Sequence, residues 1–307
     1  MPVALPVAFI GLGALGAPMA TNLLAKGFAL TVHNRHRERE GALAAAGARR
    51  AATPAAAAQD ATVLALCLSD DTAVAEVLLG RGGAGADAAL AGLAPGSLVI
   101  DFSTIAPASS RAMAAALAER GVAYLDAPVT GGTEGARGGT LSVLVGGGAD
   151  DLERARPVLE AVGRTVTHLG PVGAGQEAKA VNQVLVAGCY AAVAEALALG
   201  QRLGLPMEAV RQALLGGAAG SWALEHRGGS MLQGEFPLGF RLRLHRKDLA
   251  IALEAAAAAD GLELPVARQV AVMEDALIAA GHGDEDVSAL ARWFMEPLVR
   301  PGCTLSC

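Results

Sequence analysis

At 307 residues, 53% hydrophobic and 18% charged, the chain has material for a sizeable core and lacks the composition of a disordered protein. Its formal net charge of −6 argues against nucleic acid or an anionic membrane as a partner. Aromatics make up only 3% and 39 residues are Gly, so the core must rest on Ala, Val and Leu in closely packed helices.

In chain order, Val7-Ala-Phe-Ile10 reads as a short buried strand, followed at once by Gly11-Leu12-Gly13-Ala14-Leu15-Gly16 and a helical pattern through Met19, Leu23 and Leu24. This is the G-x-G-x-x-G fingerprint in its required strand–turn–helix setting, where backbone N–H groups at a helix N-terminus receive a pyrophosphate. The second strand, Ala29 to His33, ends at Asn34-Arg35-His36-Arg37, with no acid until Glu38. An acid there would favour NAD; an Arg can clasp a 2′-phosphate, so NADP is expected, with NAD possible.

Strand and helix then alternate: strands at 61–67, 97–101 and 122–126, and helices through Val74–Leu78 and 106–120. Further strands are expected at 141–146 and 166–169, around a helix at 150–162. Such alternation predicts an α/β fold, a doubly wound Rossmann-type parallel sheet, whose ligands sit beyond the carboxyl ends of the strands. Leu68-Ser69, Ser103-Thr104 and Thr130-Gly131-Gly132 fall there, although Ser103 also suits a turn or helix cap. Gly170-Pro171 punctuates the chain, and beyond it only helices are expected: 175–203, 206–215, 247–260, 265–281 and 285–297. The domains expected are therefore 1–171, binding the dinucleotide, and 172–307, all-α.

The long helix, stopped by Gly204, would be roughly 40 Å long. Lys179, Asn182 and Gln183 stand on it at i, i+3 and i+4, projecting from one face. An ammonium and two amides on a helix otherwise apolar at this point suggest a catalytic acid with its positioning partners. An isolated lysine would more simply snorkel at an edge.

Cys67 and Cys189 read as core thiols, and Cys303 and Cys307 as part of a frayed tail; a disulfide framework is not expected. The six histidines show no pair at ligand spacing, so no metal is expected. The chain opens on a strand pattern without a basic leader, and Glu195 interrupts the most apolar run. A soluble, cytoplasmic protein is expected.

Taken together, Phe9-Ile-Gly-Leu-Gly-Ala-Leu-Gly16, Asp101-Phe-Ser-Thr104, Asp126-Ala-Pro-Val-Thr-Gly-Gly132, Gly173-Ala-Gly-Gln-Glu-Ala-Lys179-Ala-Val-Asn182 and Arg246-Lys-Asp-Leu249 resemble the β-hydroxyacid dehydrogenase family over almost the whole chain. The segments Gly216–Ser221, Gly239–Leu249 and Ser288–Leu290 look most like its tartronate semialdehyde reductase branch. Thr130 stands where the family often has Ser, and Gln183 where it often has a second Asn.

The resemblance implies reduction of a small carboxylate-bearing semialdehyde, with Lys179 as proton donor and Asn182 orienting substrate or lysine. Substrate contacts would come from Ser103, Thr130, Gly131, Gly132, Lys179, Asn182 and Gln183. Cofactor contacts would come from residues 11–16, Asn34, Arg35, Leu68, Ser69, Thr104 and Lys247. It also implies a homodimer or homotetramer. A 3-hydroxyisobutyrate, succinic semialdehyde or glyoxylate substrate stays open. A non-catalytic dinucleotide-binding protein would be expected to have lost Lys179, and imine reductases generally lack the Lys-x-x-Asn pair. His245, near Lys247, is expected to be structural.

Overall fold

The computed structural model describes residues 5–80 and 85–296. Cys303 and Cys307 lie outside the described residues. The chain divides into two compact units, one ending at Lys179 and one starting at Ala180.

The first unit is built on a nine-stranded sheet. Its strands are β1 (Pro6–Ile10), β2 (Ala29–His33), β3 (Arg49–Arg50), β4 (Val63–Leu66), β5 (Leu98–Asp101), β6 (Ala123–Asp126), β7 (Val129–Thr130), β8 (Leu141–Gly146) and β9 (Gly163–Gly170). Strands β3-β2-β1-β4-β5-β6 run parallel, with the order reversing at β1. Alternation sends Val7, Phe9, Val63, Ala65, Leu98 and Ile100 into the core on one face. Ala8, Ile10, Leu64, Leu66 and Val99 go into the core on the other. Both faces are covered, which is why these strands read as continuous apolar runs.

The strand–helix alternation predicted a parallel sheet, but the sheet is mixed at one end. β8 runs antiparallel to β6 and β7, and parallel to β9. Between β6 and β8 the chain has room only for β7 and the short helix Gly132–Gly138, and parallel neighbours need a longer crossover. Neither β7 nor that helix shows in the pattern of so Gly-rich a stretch.

The long helix, Ala174–Arg202, begins in the first unit and continues into the second. Its start is held by Asp126 at the end of β6, whose carboxylate accepts from Gly173 N (2.7 Å) and Gln176 N (2.9 Å). These are donors that a helix N-terminus leaves without intrahelical partners, here met by an anion at the positive end of the dipole. A Cβ on Gly175 would lie 2.4 Å from Leu144 O and 2.8 Å from Asp126 Oδ2, so only glycine lets the helix end come this close. The other end closes in a Schellman motif: Leu205 N donates to Gly200 O, Gly204 N donates to Gln201 O, and Gly204 has φ +70.

By length and composition alone this helix could cross a membrane, even with Glu195 in its apolar run. Its Ala187, Tyr190, Val193, Ala194 and Leu197 instead form one side of the second unit's core, with Leu224, Leu249, Val270 and Leu277.

That unit also holds helices Met207–Leu215, Leu242–Ala258 and Pro265–Ala279. Leu242–Ala258 starts five residues ahead of the expected 247, because tertiary bonds initiate it. Asp286 accepts from Gly239 N and Phe240 N, both at 2.8 Å, and Leu242 N donates to Glu285 O. The same aspartate caps Ser288 N, so the expected helix 285–297 is reduced to a 3-10 turn, Val287–Leu290, and one helical turn, Ala291–Met295.

Replacing Asp126 by Ala leaves helix-end donors buried without an acceptor and should cost about 1–3 kcal/mol. Urea unfolding of the two proteins measures it; an unchanged midpoint would mean that the cap is not needed.

Candidate active site

Register decides which residues share the carboxyl edge of the sheet. Ile10 pairs with His33 on one side and Leu66 on the other, Leu66 with Asp101, and Asp101 with Asp126. The loops that follow these strands therefore rise side by side. They carry Gly11–Gly16, Asn34-Arg35, Leu68-Ser69, Ser103-Thr104 and, after β7, Gly131-Gly132.

The glycine loop is shaped for an anion. Gly11 has φ +100, and a Cβ there would lie 2.3 Å from Cys67 O; one on Gly16 would lie 1.9 Å from Gly11 O. At Gly13 a Cβ would meet nothing within 4 Å, so the backbone there faces open space that a ligand can enter. No side chain caps the helix Gly16–Ala25, which has no acidic residue in its first turn. Its N-terminal donors are available to phosphate oxygens. Leu12 is buried, whereas Ala14 is exposed and Leu15 partly so. These features fit a dinucleotide.

Asn34 serves this loop from the side. Its Oδ1 accepts from Leu12 N (2.8 Å), its Nδ2 donates to His36 O (2.9 Å), and its own N donates to Glu40 Oε1 (2.9 Å). Buried Glu40 in turn pairs with Arg37 (3.0 Å) and Arg50 (2.7 Å). Asn34 thus shapes the loop. Arg35 is exposed at the same turn and makes no hydrogen bond or ion pair among the described residues.

Ser103, expected at the substrate, is 2% exposed and its hydroxyl is already used: it accepts from Leu68 N (2.8 Å). The same residue's carbonyl accepts from Gln176 Nε2 (2.8 Å), and Gln176 Oε1 accepts from Ile105 N (3.2 Å). Ser103 is therefore a tie between two loops and the long helix. Thr104 is partly exposed beside it, and Ser69 is exposed, donating to Asp70 Oδ2. Thr130 and Gly132 are partly exposed, and Gly131 (φ +126) is exposed. Cys67 packs against the sheet core, and desolvation, with Asp101 adding, pushes its thiol up to about 12; it is an inert core thiol.

Lys179 follows Gln176 by three residues on the long helix and is 7% exposed. Asp126 and Gln176 together hold the turn that carries it against the ends of β5 and β6. Sequence reasoning assigned neither residue a role. Asp126 was in view at the head of Asp126-Ala-Pro, and Gln176 one turn before the lysine.

In the second unit, Asn182 Nδ2 donates to Gln183 Oε1 (2.7 Å), and Gln183 Nε2 donates to Asp248 Oδ2 (2.7 Å). Lys247 Nζ lies 2.8 Å from Asp248 Oδ1. Gln183, expected as a substrate contact, is 1% exposed with both ends of its amide engaged, so it is not open to a ligand. Asp248 is a partner that the sequence reading named only as a neighbour of Lys247. His245, wholly buried and 2.6 Å from Glu274, is structural, as expected. No group of three or more His, Cys, Asp or Glu among the described residues could hold a metal.

A parallel sheet with a glycine loop at its switch point defines a Rossmann-type, dinucleotide-binding protein. Residues 6–170 match the model for the NAD binding domain of 6-phosphogluconate dehydrogenase. Residues 173–294 match that for the NAD-binding of NADP-dependent 3-hydroxyisobutyrate dehydrogenase. The NAD-dependent L-serine dehydrogenase of Pseudomonas aeruginosa is 41% identical, over 94% of this chain and 97% of its own. The 2-hydroxy-3-oxopropionate reductase of Escherichia coli K12 is 38% identical, over 92% and 95%. Among solved structures, Mycobacterium tuberculosis 3-hydroxyisobutyrate dehydrogenase with L-serine superimposes with a TM-score of 0.82 at 33% identity, covering 94% of this chain and 99% of that one. The chain belongs to the β-hydroxyacid dehydrogenase family and is an NAD(P)-dependent oxidoreductase acting on CH–OH.

Beneath the site, burial raises the Asp101 carboxyl from 3.8 to about 6, against the hydrogen bonds from Ser103 and Tyr124, with the charge of Asp126 adding to the rise. Asp126 is raised as well, by burial. The folded chain then keeps a proton on Asp101 that the unfolded chain releases at lower pH. This carboxyl favours folding below about pH 4 and opposes it increasingly up to about pH 6, by about 3 kcal/mol at neutrality. Asp101→Asn should therefore flatten the fall in urea midpoint across that window. An identical pH dependence in wild type and variant would show that Asp101 does not titrate there.

Proposed function

We propose that the protein reduces a small carboxylate-bearing semialdehyde to the hydroxy acid, with 2-hydroxy-3-oxopropionate to glycerate as the favoured pair and NADPH as the favoured cofactor. The observation that carries this reading is Lys179. It is a buried ammonium on a helix start that Asp126 and Gln176 bolt to the carboxyl edge of the sheet, where the glycine loop also lies.

The bound nicotinamide supplies the hydride. Lys179 would hydrogen-bond the substrate's carbonyl oxygen and deliver a proton as negative charge develops there; in the oxidative direction it would remove that proton. Thr130 Oγ and the N–H groups of Gly131 and Gly132 suit the substrate carboxylate, and Asn182, three residues after Lys179, suits orientation of substrate or lysine. Leu68, Ser69, Thr104 and Lys247 would line the cofactor. An exposed apolar row on the long helix, Val181, Leu185, Leu199 and Leu203, suits a homo-oligomer.

L-serine is the second reading, favoured by the 41% identity to the L-serine dehydrogenase. Initial rates on a panel of semialdehydes and hydroxy acids decide between them; a chain that turned over none would refute both.

Lys179→Ala should keep NADPH binding and lose about 10²–10⁴-fold in kcat, the usual effect of removing an essential proton donor. Near-wild-type turnover would refute the assignment. Arg35 carries the cofactor preference, since its exposed fork can meet a 2′-phosphate. Arg35→Ala should raise the Kd for NADPH by about 10-fold or more and leave that for NADH nearly unchanged, read by fluorescence titration. Equal losses for both cofactors would remove Arg35 from that role.

A further inference from the structure

The chain of amides in the second unit has a direction. Asp248, paired with the Lys247 ammonium, can only accept hydrogen bonds, so Gln183 must turn its NH₂ toward it. That leaves Gln183 Oε1 as the atom facing Asn182, and Asn182 must in turn donate its Nδ2. Neither amide can flip without setting like against like: a flipped Gln183 would face a carboxylate with its own oxygen. Burial makes the constraint strict, because Gln183 at 1% exposure and Asp248 at 3% have little water to substitute for a lost partner. At the far end, Asn182 Oδ1 has no hydrogen-bond partner among the described residues, and its side chain is partly exposed.

We infer that Gln183 and Asp248 are positioning residues that fix the orientation of the Asn182 amide, so that Asn182 presents an acceptor oxygen, never an NH₂, to the reaction. The inference rests on the proposed function for what the oxygen meets. Its complement is a hydrogen-bond donor: either a hydroxyl or ammonium on C2 of the substrate, or the ammonium of Lys179. Glycerate and L-serine carry such a C2 donor, and 3-hydroxyisobutyrate carries a methyl there. An asparagine free to rotate would serve all three by turning; an oriented one discriminates.

The test uses the full-length chain with glycerate, L-serine and 3-hydroxyisobutyrate as alternative substrates. Gln183→Leu, close in shape but unable to relay polarity, should lower kcat/KM about 10–100-fold on the substrates that wild type uses. Loss confined to glycerate and L-serine, mainly in KM, assigns the oxygen to the substrate's C2 donor. An equal loss in kcat on all three, with a displaced pH–rate profile, assigns it to Lys179. Either supports the inference.

Gln183→Glu separates orientation from packing. Its carboxylate opposes Asp248, but once protonated the new acid can donate to Asp248 while accepting from Asn182. Its rate relative to wild type should therefore recover as pH falls, whereas Gln183→Leu should not recover. Kinetics for Gln183→Leu within about twofold of wild type on every substrate would overturn the inference while leaving the role of Lys179 intact.

If the wild type turned over none of the three, the functional reading would fail and the amide order would still be open to NMR. The Asn182 Nδ2 protons should be shifted and protected from exchange in wild type and freely exchanging in Gln183→Leu. Equal exchange in the two proteins would sink the inference by itself.

Discussion

The start of the long helix at the carboxyl edge of the sheet depends on one carboxylate meeting one helix end. Asp126 closes β6, and its two oxygens take the N–H groups of Gly173 and Gln176. The bond does two tasks at once: it satisfies backbone donors that would otherwise be buried alone, and it sets where a helix of 29 residues begins. The charge is kept at some cost, since burial raises the acid even as four backbone N–H groups lower it. Glycine at 146 and 175 is the other half of the arrangement, because a methyl at either position would collide with the carboxylate.

From that anchor the geometry spreads by short, directed bonds. Gln176 carries the helix start to the loop after β5, and Ser103 carries that loop to Leu68 after β4. Asn34 carries the end of β2 to the glycine loop. The turn that precedes Lys179 is thereby tied to Asp126 at the end of β6 and to the loop after β5. Preorganisation of this kind suits proton transfer, whose efficiency depends on donor and acceptor staying within hydrogen-bond reach. In the second unit the same device recurs, with Asp248 at the head of a line of amides.

Three residues expected to face a ligand have internal hydrogen-bond partners instead. Ser103, Asn34 and Gln183 each have the chemistry of a binding residue, and each spends it inside the protein. Sequence spacing put Lys179, Asn182 and Gln183 on one helical face, but a face spans an arc. One residue further round that arc makes Gln183 a buried link where Asn182 stays partly open.

The strand–helix alternation, the glycine loop and the stop at Gly204 are local effects of steric freedom and periodicity, so the sequence alone determined the Rossmann-type class, the long helix and the candidate residues along it. The antiparallel turn of β8, the early start of the helix Leu242–Ala258 and the break after Asp286 were decided by tertiary structure, because each depends on partners far away in the chain. So was which candidate side chains stay exposed and which are engaged inside the protein. A side chain's hydrogen-bonding capacity is written in its identity, but what consumes that capacity is set only when distant segments are brought within about 3 Å of one another.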